Sequence, residues 1–132
     1  VSCFVPPAVP AENLKEEYPM PFIHMMTNVS VSEAAEKAMK EAFGKAISII
    51  PGKSEQWLMT DIEGEHRLYL AGSGEPAAMV EVSLYGSAAG ETYNKLTGAV
   101  TETVVKNLGI DPARVYVKYA ETPYWGWNGE NF

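Results

Sequence analysis

Few residues in this chain are equipped for chemistry, and their spacing narrows the field. There are two histidines, His24 and His66, and one cysteine, Cys3. A single thiol cannot close an intrachain disulfide, which excludes a stapled secreted scaffold. His24 and His66 stand alone, without the short ligand spacing of a zinc site. They read as a tolerated strand histidine and a loop histidine, and no metal is expected. No phosphate-binding loop or dinucleotide fingerprint is present, since Gly72-Ser73-Gly74 is a turn signal, and no cofactor is expected. Met25, Met26, Met39, Met59 and Met79 are most simply core filler.

Composition bounds the function from the other side. A chain of 132 residues is one domain, long enough for a real core. With 46% apolar and 20% charged residues it reads as an ordinary globular protein. A formal net charge of −7 argues against nucleic acid or an anionic membrane as partner, because both need a basic face. A small acidic substrate stays open, since one or two lysines can hold a carboxylate inside an acidic protein. No apolar run approaches the length of a membrane span. The opening VSCFVPPAVP lacks a basic segment and is broken by prolines, unlike a signal peptide. The expected location is cytoplasmic, with any secretion by a leaderless route.

The elements that must position any site follow from periodicity. Residues 1–20, with Pro6, Pro7 and Pro10 and no apolar period, read as an irregular N-terminal extension, and 21–132 as the domain. The absence of an initiator Met suggests a fragment, a processed chain or upstream translation. PFIHMMTNV reads as a strand. Ser30 then opens a capping box with Glu33, ahead of a helical stripe through Ala35, Ala38, Met39, Ala42, Ala46, Ile49 and Ile50 that Pro51-Gly52 ends. QWLMTDI is a second strand, Glu63-Gly64-Glu65 a tight turn and RLYLAG a short strand. AAMVEVSLYG is the third principal strand, with Val80, Val82 and Leu84 on one face. A helix from Gly90 to Leu108 carries Leu96, Val100, Val104 and Leu108 and ends at Gly109. ARVYVKYA is the fourth strand, and the tail PYWGWNGENF suits a hairpin.

The chain is thus β-α-β followed by β-α-β, with matching offsets of 36 residues from Pro21 to Trp57 and from Met79 to Val115. This predicts a duplicated α/β unit: right-handed crossovers, parallel strands within each unit, and a four-stranded sheet with both helices on one face. The other face would be bare. Met25, Met59 and Tyr116, assigned to it, are too apolar for water, so self-association is expected.

M-P-F-I-H-M-M-T-N-V, then P-G-K, G-S-G-E-P-A-A-M-V, G-I-D-P-A-R-V-Y-V-K-Y and W-G-W-N-G-E-N-F together resemble the macrophage migration inhibitory factor family of tautomerases. The resemblance runs from Met20 to Phe132. It implies the tautomerase fold assembled as a homotrimer, with the three sheets forming a barrel that covers the bare face and active sites between subunits. It also implies phenylpyruvate or dopachrome tautomerase activity on a small aromatic 2-keto acid. The family's base, an N-terminal proline exposed by loss of the initiator Met, maps onto Pro21 after Met20.

Keto–enol tautomerisation needs a base of near-neutral pKa, a hold on the substrate acid and stabilisation of the enolate. A free N-terminal proline is a rigid secondary amine, and a partly apolar pocket lowers its pKa toward the working pH. An internal proline offers no base, because its nitrogen is an amide. Pro21 can therefore act only if the residues before it are absent. By the resemblance, Lys53 in P-G-K is the substrate-carboxylate lysine, and Tyr116 reaches the neighbouring subunit's site. Tyr85 and Lys118 depart from the animal proteins, where isoleucine and asparagine are common. Tyr85 is expected to line the pocket and present its backbone N–H, and Lys118 to supply a second cation. The redox C-x-x-C of some relatives is replaced by Ala77-Ala78-Met79-Val80. Two alternatives stand beside the enzyme: a non-catalytic cytokine-like protein that engages a protein receptor, and a silent trimer whose Pro21 is blocked by the extension.

Overall fold

The computed structural model describes residues 20–131; the extension expected over 1–20 lies outside them except for Met20. The first strand, β1 (Pro21–Thr27), alternates strictly: Pro21, Ile23, Met25 and Thr27 are buried, and Phe22, His24 and Met26 half-buried. Ile23 and Met25 belong to the core beneath the helices. Met25 is therefore not on the bare face; Met26, its neighbour, occupies that parity.

Helix α1 (Glu33–Ala46) starts two residues later than the capping box at Ser30 suggested. Ser32 is the N-cap, and its Oγ accepts from the Ala35 N–H at 3.1 Å. The reason is tertiary. The Val29 carbonyl receives the Glu65 N–H at 2.9 Å, and the Ser30 hydroxyl donates to the Glu65 carboxylate at 3.1 Å, so this stretch stays tied to the turn at 64–66. The buried stripe runs through Met39, Phe43 and Ala46. Phe43 was missing from the sequence stripe, and Ala38, included there, is exposed. After Ala46 the chain tightens into a 3-10 turn (Ile47–Ile49), and Pro51 and Gly52 form the following turn, Gly52 at φ 81°.

Strand β2 (Met59–Glu63) is shorter than expected, because Glu55–Trp57 forms a 3-10 turn. The RLYLAG strand is absent: only an isolated bridge joins Leu70 to Ser73. Side chains hold this loop instead. The Asn28 amide donates to the Leu68, Gly74 and Glu75 carbonyls and accepts from the Ala77 N–H. The Arg114 guanidinium donates to the carbonyls of Leu70, Ser73, Glu75 and Pro76. Strand β3 (Ala78–Tyr85) and helix α2 (Gly90–Leu108) follow as read from the sequence, whereas strand β4 (Val115–Thr122) lies two residues later than ARVYVKYA, because Pro112–Arg114 forms a 3-10 turn. Gly109 closes α2 in the left-handed conformation at φ 68°. The tail forms the expected hairpin of β5 (Gly126–Trp127) and β6 (Glu130–Asn131), turning through Asn128 and Gly129, both at positive φ.

The sheet order is β2-β1-β3-β4. Pairing is parallel within each half and antiparallel between β1 and β3 at the centre. Phe22 faces Met59 and Ala78 faces Val115, so both halves repeat at 37 residues, one more than the strand starts suggested. Ile23, Val80, Val82 and Leu84 pack against Phe43, Leu96 and Val100 from the helices to form one core. The open face is mixed rather than apolar. Met59 and Tyr116 are exposed there as expected, at 69% and 55%, but Asp61, His24, Glu81 and Lys118 form a polar row between them. Among the described residues no helix is long and apolar enough to cross a membrane.

Candidate active site

One end of the sheet gathers three of the five candidate residues. Strand β1 starts there at Pro21, which lies opposite Leu84. Strand β3 stops there at Tyr85. The turn after Ile50 brings in Lys53, whose N–H bonds the Ile50 carbonyl at 3.1 Å. Lys53 is only 6% exposed, and its Nζ donates to the Tyr85 carbonyl at 3.3 Å. Burial pushes its pKa down from 10.5 to about 8. At neutral pH the amine is still mostly a cation, but a poorly solvated one. Such an ammonium favours a carboxylate that can supply the missing counter-charge.

A cleft of about 520 Å³ adjoins this end, lined by Ile50, Pro51, Gly52, Ser87, Ala88 and Thr92. Its wall is small and apolar, with the hydroxyls of Ser87 and Thr92. Tyr85 itself is buried at 4% exposure, and its backbone carbonyl positions Lys53. Pro21 is buried as well, and in the full chain its nitrogen is acylated by Met20, itself 3% exposed.

Tyr116 and Lys118 are not brought to this end. Tyr116 lies opposite Met79, which lies opposite Met26, five residues along β1 from Pro21. At the usual strand spacings that is roughly 17 Å along the sheet and about 10 Å across it. Lys118, opposite Glu81 and thence His24, is three residues along, roughly 10 Å in each direction. Its Nζ pairs with Glu81 at 3.3 Å. A site using all five residues therefore takes Tyr116 and Lys118 from a second chain.

The sequence reading missed one constellation. His24 Nε2 lies 2.5 Å from a Glu63 carboxylate oxygen and 3.7 Å from one of Asp61, while Nδ1 lies 3.8 Å from Glu81. Glu63 also receives His66 at 3.3 Å. The hydrogen bond from His24, the largest influence, holds the Glu63 carboxyl below the usual range. The available signal was the repeat, since a 37-residue offset pairs His24 with Asp61.

Two β-α-β units fused about a central antiparallel pair, with a proline opening the first strand beside a buried lysine, define a duplicated α/β class with its polar site at the sheet end. The chain belongs to the macrophage migration inhibitory factor family, whose sequence model matches residues 20–132. It is similar to Leishmania major MIF2, with a TM-score of 0.80 and 32% identity over 86% of this chain and 97% of that one. It is also similar to the homologue from Prochlorococcus marinus, with a TM-score of 0.77 and 28% identity over 84% of this chain and 98% of that one. Among curated proteins, the homologue from Trichuris trichiura is 24% identical over 115 residues, 86% of this chain and all of that protein.

Proposed function

We propose that this protein is a cofactor-free keto–enol tautomerase of small aromatic 2-keto acids, with Pro21 as the base once the residues before it are removed. The observation that carries this reading is the buried Lys53 cation held at the Tyr85 carbonyl, at the end of the sheet where β1 begins with Pro21. The family match beginning at Met20 supports it, because loss of that Met is what frees the proline nitrogen.

In this mechanism the Lys53 ammonium binds the substrate carboxylate and fixes the carbon next to the ketone near the proline nitrogen. The neutral amine takes a proton from that carbon, and the electron pair moves into the carbonyl to give an enolate. Protonation of the oxygen completes the enol; the reverse path gives the ketone. No atom is gained or lost. Enclosure by protein lowers the pKa of the amine toward neutrality, where a base is most effective. Tyr116 and Lys118 enter from a neighbouring copy in a homotrimer, their distance from Pro21 within one chain being too great for direct participation. Lys118 would add a second positive charge near the developing enolate oxygen.

The test compares the full chain with one beginning at Pro21, following ketonisation of phenylpyruvate enol by absorbance. The trimmed chain should be active and the full chain at least 100-fold slower, the scale of a lost general base. Equal activity of the two forms would rule out the proline nitrogen as base. Light scattering during size-exclusion chromatography should give three chains per particle; a monomer that is fully active would contradict the shared site.

A further inference from the structure

We propose that His24, Asp61 and Glu63 form a binding site for one divalent transition-metal ion of the zinc type, on the open face of the sheet and separate from the Pro21 end. Strand pleating assembles it. Asp61 and Glu63 are two apart on β2, so both project to the same face, and His24 faces Asp61 across the parallel ladder. One donor atom from each residue lies within 4.8 Å of the other two. A tetrahedral ion with bonds of about 2.0–2.2 Å sets its donors roughly 3.4 Å apart. The His24–Asp61 separation of 3.7 Å is close to that. The His24–Glu63 contact of 2.5 Å must open by roughly 1 Å, which rotation of the half-buried Glu63 side chain allows.

The surroundings suit a dication. Asp61, Glu63 and Glu81 give three negative charges around one imidazole; Lys118 pairs with Glu81, His66 bonds Glu63, and Lys37 and Lys40 line a hollow beside Asp61. The second ring nitrogen is already turned to a carboxylate: Nδ1 faces Glu81 at 3.8 Å while Nε2 faces Asp61 and Glu63. A carboxylate behind a ligating histidine fixes its tautomer and raises its basicity. Phe22 stacks parallel to the ring at 5.9 Å and steadies its plane. The donor set, one imidazole nitrogen and two carboxylate oxygens, favours zinc or its neighbours over magnesium or calcium, which prefer oxygen alone. Three protein donors leave the fourth tetrahedral position to water.

Zinc titration by calorimetry on the full chain carrying Cys3→Ser, which removes the one thiol, is the decisive experiment. One zinc ion should bind per chain. His24→Ala should weaken binding at least 100-fold, and Asp61→Asn with Glu63→Gln, which keeps every side-chain volume, should do the same. Glu81→Gln should keep the stoichiometry and weaken affinity by about tenfold, the scale of an outer-shell partner. No binding at 1:1 stoichiometry by the parent chain, or binding that survives the Asp61/Glu63 double variant, overturns the site. Because the readout is metal binding, its outcome is independent of tautomerase activity.

Discussion

Lys53→Met should make the protein more stable and less active at neutral pH. The Lys53 pKa falls from 10.5 to about 8 through burial alone. At roughly 1.4 kcal/mol for each factor of ten, holding the ammonium in the fold costs about 3 kcal/mol at pH 7. Methionine has a similar unbranched length and carries no charge to desolvate. It forfeits the hydrogen bond to the Tyr85 carbonyl, on the order of 1 kcal/mol. The net gain at pH 7 is therefore about 2 kcal/mol. The pH dependence is the sharper signature. Below about pH 8 lysine is protonated in both folded and unfolded chains, and the burial cost is fully present. Between about 8 and 10.5 the unfolded chain keeps a proton that the folded chain has released, so wild-type stability rises with pH. The advantage of methionine should shrink across that window and vanish above it. Urea unfolding followed by fluorescence of the three tryptophans, at fixed chain concentration from pH 6 to 11, measures the difference. Taking wild type minus variant cancels tyrosine ionisation common to both. A variant less stable at pH 7, with a difference flat across the window, would refute the buried-cation account. If the chain beginning at Pro21 is the proposed tautomerase, the same change should raise its KM for 2-keto acids at least tenfold, the stability gained being the counterpart of function lost.

Other perturbations test separate parts of the molecule. Pro21→Gly in the chain beginning at residue 21 should lower kcat/KM for phenylpyruvate by one to two orders of magnitude, because it leaves a primary amine on a more mobile residue; unchanged steady-state kinetics would count against the ring nitrogen. Arg114→Ala removes the donors for four backbone carbonyls of the loop after β2 and should destabilise by about 2 kcal/mol. It should also speed proteolysis between residues 66 and 77, and cleavage at the wild-type rate would show that the loop holds without it. Burial, and next the Glu121 hydrogen bond, push the Tyr93 pKa up to about 12. A phenol ionising later in the fold than in the unfolded chain stabilises below pH 10 and loses that contribution as pH rises to about 12. Tyr93→Phe should flatten the alkaline fall in stability over that range, as thermal unfolding at pH 9.5 and 11.5 would reveal.

Much of this fold was legible in the sequence because it rests on local rules. The apolar stripe of α2 and its closing glycine fixed that helix from Gly90 to Leu108, and the tail PYWGWNGENF suited the final hairpin. The repeat announced two fused β-α-β halves. The condition on Pro21 was also legible, since whether its nitrogen is an amine or an amide is a covalent fact. What the sequence left undecided depended on contacts across the chain. Met25 and Met26 are equally apolar, and only packing under the helices selects which is buried. Ser30 and Ser32 both suit a cap, and the link from Val29 to Glu65 selects the second. Asn28 and Arg114 replace an expected strand with a side-chain-held loop. Lys53 is chemically ordinary until the turn after α1 buries it against Tyr85, and His24 is isolated until a 37-residue register sets it beside Asp61 and Glu63. Burial and strand register are properties of the assembled sheet, where a single residue's shift moves every side chain to the other face, and no local pattern encodes that choice.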